Sequence, residues 1–319
     1  MQMKQLLIAA ILGVATSVAT AAEMKTVALT YIVDQPAINA ARDGIVAALG
    51  AAGYVDGKTM KLIVQGAQGS MPTQIQIAKE FAGDSPDLMI AISTPSAQAL
   101  QSAAGTTPVV FAAVTDPVGA KLVASLDRPG ANITGVTDMQ SLKPTLDLIK
   151  SVVPSARRLG VIYNAGEANS VSQVKALKEI AASSGMQVVE STASQSAMVG
   201  DAARSLIGRV DVILLPTDST VVSAVESVVA VGEQSKTPVF ASDTASVTRG
   251  AVAALGFNYY DIGKLSGDMA AKILAGASPS SIPVGALKTQ DLYLNAKSGA
   301  AMGITIPPAV MAAAVKVYE

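Results

Sequence analysis

The sequence predicts an α/β protein of two Rossmann-like lobes with parallel sheets, and three observations predict it. Short β-rich runs alternate with longer helical patterns, that alternation starts afresh half-way along the chain, and the two halves share letters at matching places.

In the first half the strand runs are Thr26–Ile32, Met60–Gln65, Leu88–Ile92 and Val109–Ala113, with helical patterns over Ala37–Ala52, Met71–Phe81 and Pro95–Ala104 between them. A helix between strands is the crossover that parallel pairing needs. The second half repeats this with strand runs at Arg158–Tyr163, Met186–Glu190, Val212–Leu215 and Val239–Ala241 and helices over Ser170–Ser184, Ala197–Leu206 and Val221–Gln234. Asp87-Leu-Met-Ile-Ala-Ile-Ser-Thr-Pro-Ser96 parallels Asp211-Val-Ile-Leu-Leu-Pro-Thr-Asp-Ser-Thr220, and Thr107-Pro-Val-Val-Phe-Ala112 parallels Thr237-Pro-Val-Phe-Ala241, in the same order.

A helix over Asp261–Ala275 follows the last strand run of the second lobe, so it is expected to return to the first. Chain crossings are expected near Gly135–Leu142, Ala251–Tyr259 and Leu287–Leu294. The resulting division is a signal peptide at 1–22, lobe 1 at 23–138 plus about 257–287, and lobe 2 at 139–256 plus about 288–319.

The signal reading rests on one positive charge in Met1–Lys4, an apolar run over Leu6–Val18 and small residues at Ala19-Thr-Ala-Ala22. That run is shorter than the roughly 20 residues that span a bilayer. The mature chain is therefore expected in the periplasm. It has no cysteine, so neither a lipid anchor nor a disulfide is expected, and a large core has to hold each lobe.

Composition excludes several classes. With a net charge of −1, 15% charged residues and no basic run, nucleic acid is not an expected partner. The 50% hydrophobic content owes much to Ala and Val, which suits buried parallel strands. Histidine is absent, which removes the usual general base of Ser-His-Asp machinery and the commonest zinc ligand. No metal and no cofactor are expected, and a monomer is.

In open parallel sheets ligands sit beyond the carboxyl ends of the strands, so two such lobes would enclose a cleft between them. The polar residues just after the strands are the candidates: Ser93 and Thr94, Thr115 and Asp116, the stretch Asn164–Ser170, Asp218–Thr220, and Ser242-Asp243. Helices begin immediately afterwards, and their unpaired N–H groups suit a carboxylate. The same Ser, Thr and Asp residues serve equally well as N-caps and turn formers. Asp116, Asp218 and Asp243 could hold an ammonium group. Tyr31, Tyr163, Tyr259 and Tyr260 could cover an apolar part of a ligand or pack lobe edges. Gly66 and Gly69 lack the spacing of a nucleotide fingerprint and read as a loop.

Five motifs, Tyr163-Asn-Ala-Gly-Glu-Ala-Asn-Ser170, Pro216-Thr-Asp-Ser-Thr220, Val239-Phe-Ala-Ser-Asp-Thr244, Ala254-Leu-Gly-Phe-Asn-Tyr-Tyr-Asp-Ile-Gly263 and Val114-Thr-Asp-Pro-Val118, resemble the ABC-transporter substrate-binding family that includes tryptophan- and tyrosine-type uptake proteins. The resemblance covers essentially the whole chain after the signal. It implies a type I periplasmic-binding-protein fold, a venus-flytrap whose lobes close on a small-molecule ligand such as an amino acid, and docking on an inner-membrane permease driven by a cytoplasmic ATPase. No catalysis is implied. By that resemblance Asn169, Ser170, Asp218, Ser242 and Asp243 match second-lobe ligand contacts, and Ser93, Thr94, Val114 and Thr115 match first-lobe ones. Ser93, Thr94 and the helix-start amides would hold the carboxylate, Asp218 or Asp243 the ammonium, and Tyr31 and Tyr259 would sort an aromatic or branched side chain. Two other classes stay open: an exported enzyme using Asp116, Asp218 or Asp243 on a sugar or nucleotide, and a ligand-sensing partner of a membrane receptor.

Overall fold

The computed structural model describes residues 24–319, and the expected signal peptide lies outside them. The first lobe begins with β1 (Lys25–Tyr31), α1 (Pro36–Ala51), β2 (Met60–Gly66), α2 (Met71–Asp84), β3 (Leu88–Ile92), α3 (Thr94–Ala103), β4 (Val109–Val114) and β5 (Ile133–Thr137). The second comprises α4 (Leu142–Val152), β6 (Arg158–Tyr163), α5 (Ala168–Ser183), β7 (Gln187–Thr192), α6 (Val199–Leu206), β8 (Val212–Leu215), α7 (Ser219–Ser223), α8 (Val225–Ser235), β9 (Val239–Ala241), α9 (Ala245–Thr248) and β10 (Ala253–Gly256). Then α10 (Tyr259–Leu274) and β11 (Gly285–Ala286) rejoin the first, and β12 (Asp291–Asn295), α11 (Ala296–Ala301), α12 (Pro308–Ala312) and β13 (Lys316–Tyr318) finish on the second.

The first sheet has the order β11-β5-β4-β3-β1-β2 and the second β13-β12-β10-β9-β8-β6-β7. Leaving out the late strands, both read 2-1-3-4-5 in their own numbering, so one doubly wound plan is used twice. The pairs are parallel except β10 with β12, which is antiparallel. Strands β3, β4 and β8 are buried along their whole length, as expected of parallel strands covered by helices on both faces. The chain passes between the sheets at 138–141, 257–258 and 287–290.

Helix α10 lies against α1 at the close range that small residues allow. A Cβ at Gly263 would stand 2.0 Å from the Ala41 carbonyl oxygen, and one at Gly44 would stand 2.1 Å from the Tyr260 carbonyl oxygen. No other side chain fits there, so α10 is held to the first lobe by backbone proximity and by Ile262, Met269, Ala270 and Ile273 in that lobe's core.

Three local details depart from the sequence pattern. The helix expected over Val221–Gln234 is split at Ala224 into α7 and α8. The short α7 is set by Asp218, whose side chain accepts from Val221 N. Strand β12 runs antiparallel, with no signal in its own residues to say so. In β4 the pairing shifts between Phe111 and Val114, so that three steps of β4 match two of β5, and Ala113 sits at φ 54° in this bulge.

Candidate functional site

The order 2-1-3-4-5 places a topological switch point between β1 and β3 in one lobe and between β6 and β8 in the other. The two switch points face each other across a cavity with about 390 Å³ of empty space, part of it open to solvent. The first lobe contributes Gln35, Ala37 and Ile38 from the start of α1, Ser93 and Thr94 from the start of α3, and Ala113 and Thr115 from the end of β4. The second contributes Asn169, Thr217, Asp218, Ser219, Val222 and Asp243, and the crossing segments add Asp138 and Tyr259. Among the described residues no Lys or Arg lines the cavity.

The lobes differ in how their helix starts are satisfied. In the second lobe carboxylates already take the first amides of α7 and α9, while α5 has no side-chain cap. Asp218 accepts from Val221 N at 2.7 Å, Asn164 N at 2.7 Å and Ser170 Oγ at 2.6 Å, so both its oxygens are engaged. Glu167 takes Ser219 N at 2.9 Å and Thr220 N at 3.0 Å. Asp243 takes Ser246 N at 2.9 Å and Ser246 Oγ at 2.6 Å. In the first lobe neither α1 nor α3 has a side-chain cap. First-turn amides have no partner inside their helix, so the start of α3 presents free donors and a partial positive charge to the cavity.

Backbone strain marks the same place. Ser93 stands at φ 83°, ψ 158°, a region otherwise reserved for glycine. It is held there by Ser93 N donating to the Ala112 carbonyl at 2.9 Å and by its own carbonyl accepting from Ala97 N at 3.1 Å.

Four buried polar atoms of the lining have no partner among the described residues: Gln35 Oε1, Thr94 Oγ1, Asp138 Oδ1 and Asn169 Oδ1. Three of these can only accept. Asp138 is the sharpest case, since its other oxygen receives the Tyr259 hydroxyl at 2.7 Å and its surroundings are fully buried. Burial pushes the Asp138 carboxyl above its ordinary range, against the Tyr259 and Thr115 hydroxyls, which hold it down, and the negative Asp243 nearby adds to the rise. Burial likewise raises Asp243. Burial, and then the negative charge of Glu167, push Asp218 up to about 7. A cation in the cavity would reverse these shifts.

A buried, acidic, strained pocket at paired switch points suits capture of a small ligand, and the comparisons name the family. Residues 26–318 match the family described as ABC transporter substrate binding protein. The chain belongs to that family. Among its relatives, the tyrosine-binding protein of Clostridioides difficile (strain R20291) is 41% identical over 273 residues, covering 86% of this chain and 79% of that one. A Streptococcus pneumonia ABC domain solved in complex with L-Trp is 32% identical, covers 92% of this chain and 99% of that one, and superposes with a TM-score of 0.89. The ligand-free, open structure of a Clostridium difficile substrate binding protein with adhesive properties is 40% identical, covers 92% and 99%, and gives a TM-score of 0.70. The fold is that of type I periplasmic binding proteins.

Of the residues expected to bind, Ser93, Thr94, Thr115, Asn169, Asp218, Asp243 and Tyr259 line this cavity. Tyr31, Val114, Ser170 and Ser242 do not. The Tyr31 ring packs on Gly66, where a Cβ would come within 2.6 Å of it, and under the Arg42 guanidinium at 5.9 Å. Val114 is fully buried in the first lobe's core, because the bulge in β4 turns Ala113 to the cavity in its place. Ser170 stands behind Asp218 as its hydrogen-bond donor. Ser242 is buried, and its carbonyl accepts from Gln140 Nε2 at 2.5 Å. Tyr163 donates to Glu190 at 2.8 Å, outside the cavity, and Tyr260 is exposed.

Ser219, within the expected stretch Asp218–Thr220, also lines the cavity, while sequence reasoning missed Gln35, Asp138 and Thr217, together with the apolar Ala37, Ile38 and Val222. Asp138 was findable, since it follows a buried strand, β5, as the other candidate acids do; that strand simply lacked a helix after it in the same lobe.

Proposed function

We propose that the protein is the periplasmic solute-binding component of an ABC importer and that its ligand is an amino acid, aromatic by preference. The observation that carries this is the buried Asp138 Oδ1, which has no hydrogen-bond partner among the described residues, in the acidic cavity between the lobes. Such a carboxylate is costly unless a cation or a proton meets it, and among the described residues the lining has no cationic side chain. A ligand that brings a cation would take the place of the proton that burial favours on Asp138. An ammonium supplies three donors for Asp138, Gln35 and Asn169, while the ligand carboxylate takes the uncapped start of α3 and the Thr94 hydroxyl. Asp218 and Asp243, weighed from sequence as ammonium partners, have their oxygens engaged by protein donors and serve instead to hold α7 and α9 in place. Ala37, Ile38, Ala113, Val222 and the Tyr259 ring leave an apolar wall of small residues, on which a flat side chain can lie.

The lobes here are bridged by direct hydrogen bonds, and the chain superposes better on the L-Trp complex than on the open structure, although the open protein is the more similar in sequence. This supports a closed form like that of a liganded receptor. A ligand that bridges both lobes only when they are shut stabilises that form by differential affinity. The closed, loaded protein would then be read by a membrane permease with its ATPase, and nothing in the cavity calls for bond breaking.

The test is a melting and calorimetry panel on the protein without residues 1–22. L-Tyrosine, L-tryptophan, L-phenylalanine and L-leucine are compared with tryptamine, which lacks the carboxylate, and indole-3-propionate, which lacks the ammonium. An aromatic amino acid at a hundredfold excess over its Kd should add about 2.7 kcal/mol and be recovered unchanged. Stabilisation by indole-3-propionate equal to that by tryptophan would defeat the assignment to Asp138, and conversion of any compound would make the protein an enzyme.

A further inference from the structure

Outside the cavity a second set of polar contacts joins the lobes. Ser172, on α5, donates its Oγ to Asp116 Oδ2 at 2.9 Å, and Asp116 belongs to the turn after β4. Neither residue lines the cavity. The acceptor is fixed in advance by its own lobe, because Asp116 Oδ1 accepts from Gly119 N at 2.8 Å and the Asp116 carbonyl accepts from Ala120 N at 2.8 Å. The turn also reserves the space: a Cβ on Gly119 would stand 2.1 Å from Asp116 Oδ2, the oxygen that receives Ser172. Beside it Gln173, the next residue of α5, bonds Thr217 and reaches Thr115 Oγ1 of the other lobe at 3.5 Å.

We propose that Gly119, Asp116 and Ser172 form a latch that keeps a fraction of the ligand-free protein closed and so sets affinity without touching the ligand. The proposal rests on the reading of lobes that open and close. An acceptor held ready on one lobe pays little ordering entropy when the other lobe arrives. Whatever free energy the contact adds to the closed form appears in the affinity of every ligand that binds it, by the same factor.

The chain has no cysteine, so Lys79→Cys on α2 and Glu179→Cys on α5, both exposed, can carry a pair of spin labels that report the separation of the lobes. In ligand-free protein the distribution should contain a short-distance population, and Ser172→Ala or Gly119→Ala should deplete it. Both variants should weaken L-tyrosine and L-tryptophan by one common factor, roughly ten- to a hundredfold for a hydrogen bond to a charged group. Combining Ser172→Ala with Asp116→Ala should cost less than the sum of the two. A wholly open ligand-free protein, unchanged distances and affinity in Ser172→Ala, or factors that differ between ligands would overturn the latch. If neither amino acid binds the unaltered protein, the ligand assignment fails, while the ligand-free distances still decide the latch.

Discussion

The Tyr259 hydroxyl donates to Asp138 Oδ2 at 2.7 Å, and this bond joins the crossing that follows β5 to the one that precedes α10. The acid that we assign to the ligand's ammonium therefore sits between two of the segments that connect the lobes. A cation bound there acts on the hinge itself as well as on both walls of the cleft.

Asp138→Asn should separate binding from stability. Removing one partner of a buried charge pair costs about 2–5 kcal/mol, so amino acid affinity should fall by roughly thirtyfold or more. The ligand-free variant should melt higher than the parent at neutral pH, because a buried carboxylate lacking a countercharge has been neutralised. Calorimetry and a melting curve on the same sample check both halves. Tyr259→Phe should cost less affinity, since it removes only one bond to Asp138.

Binding should be linked to protons. The Asp138 carboxyl is raised by burial in the free protein, and an ammonium beside it lowers it again. Loading then expels a proton, so affinity should strengthen as pH rises above the ordinary carboxylate range and through the raised Asp138 value. Titrations in buffers of different ionisation enthalpy should show that release, and Asp138→Asn should abolish it.

The ligand-free fold should lose stability as pH rises. Asp218 titrates at about 7 against an ordinary value of 3.8. A raised carboxyl contributes stability that is fully present below the unfolded value and is lost as pH rises through the folded one. Between about pH 4 and pH 7 the native state binds the extra proton, so the unfolding free energy should fall as pH rises, by up to about 1.4 kcal/mol per pH unit for one such group, and the melting temperature with it. Asp218→Asn, which keeps a capping side chain for α7, should flatten that slope. An unchanged slope would assign the buried proton elsewhere.

The α1–α10 contact should tolerate no added methyl. Gly263→Ala drives a Cβ to 2.0 Å from the Ala41 carbonyl oxygen, and overpacking of that kind costs about 1–3 kcal/mol. Gly50→Ala, on α1 but with nothing within 4 Å of the new Cβ, should instead stabilise by about 0.5–1 kcal/mol. Thermal melts of the two variants should move in opposite directions.

The alternation of β runs and helical periods was enough to determine a two-lobed parallel α/β fold, because each βαβ unit is a local unit whose handedness and crossover leave few arrangements. The same logic located the strand ends, and with them Ser93, Thr94, Thr115, Asn169, Asp218, Asp243 and Tyr259, since residues after a parallel strand collect at one end of its sheet. What those residues do was decided only by the tertiary structure. Whether an Asp after a strand caps a helix or waits for a ligand depends on which donors reach its oxygens, and for Asp218 these come from Asn164, Ser170 and Val221, far away in sequence or across a turn. The exchange of Ala113 for Val114 followed from one extra residue in β4, which turns every later side chain to the opposite face without leaving a mark in composition. Asp138 owes its place to the passage of the chain from one sheet to the other and to Tyr259, 121 residues on. Periodicity reports a residue's own neighbours along the chain, whereas an unpaired oxygen in a closed cavity is a property of everything packed around it.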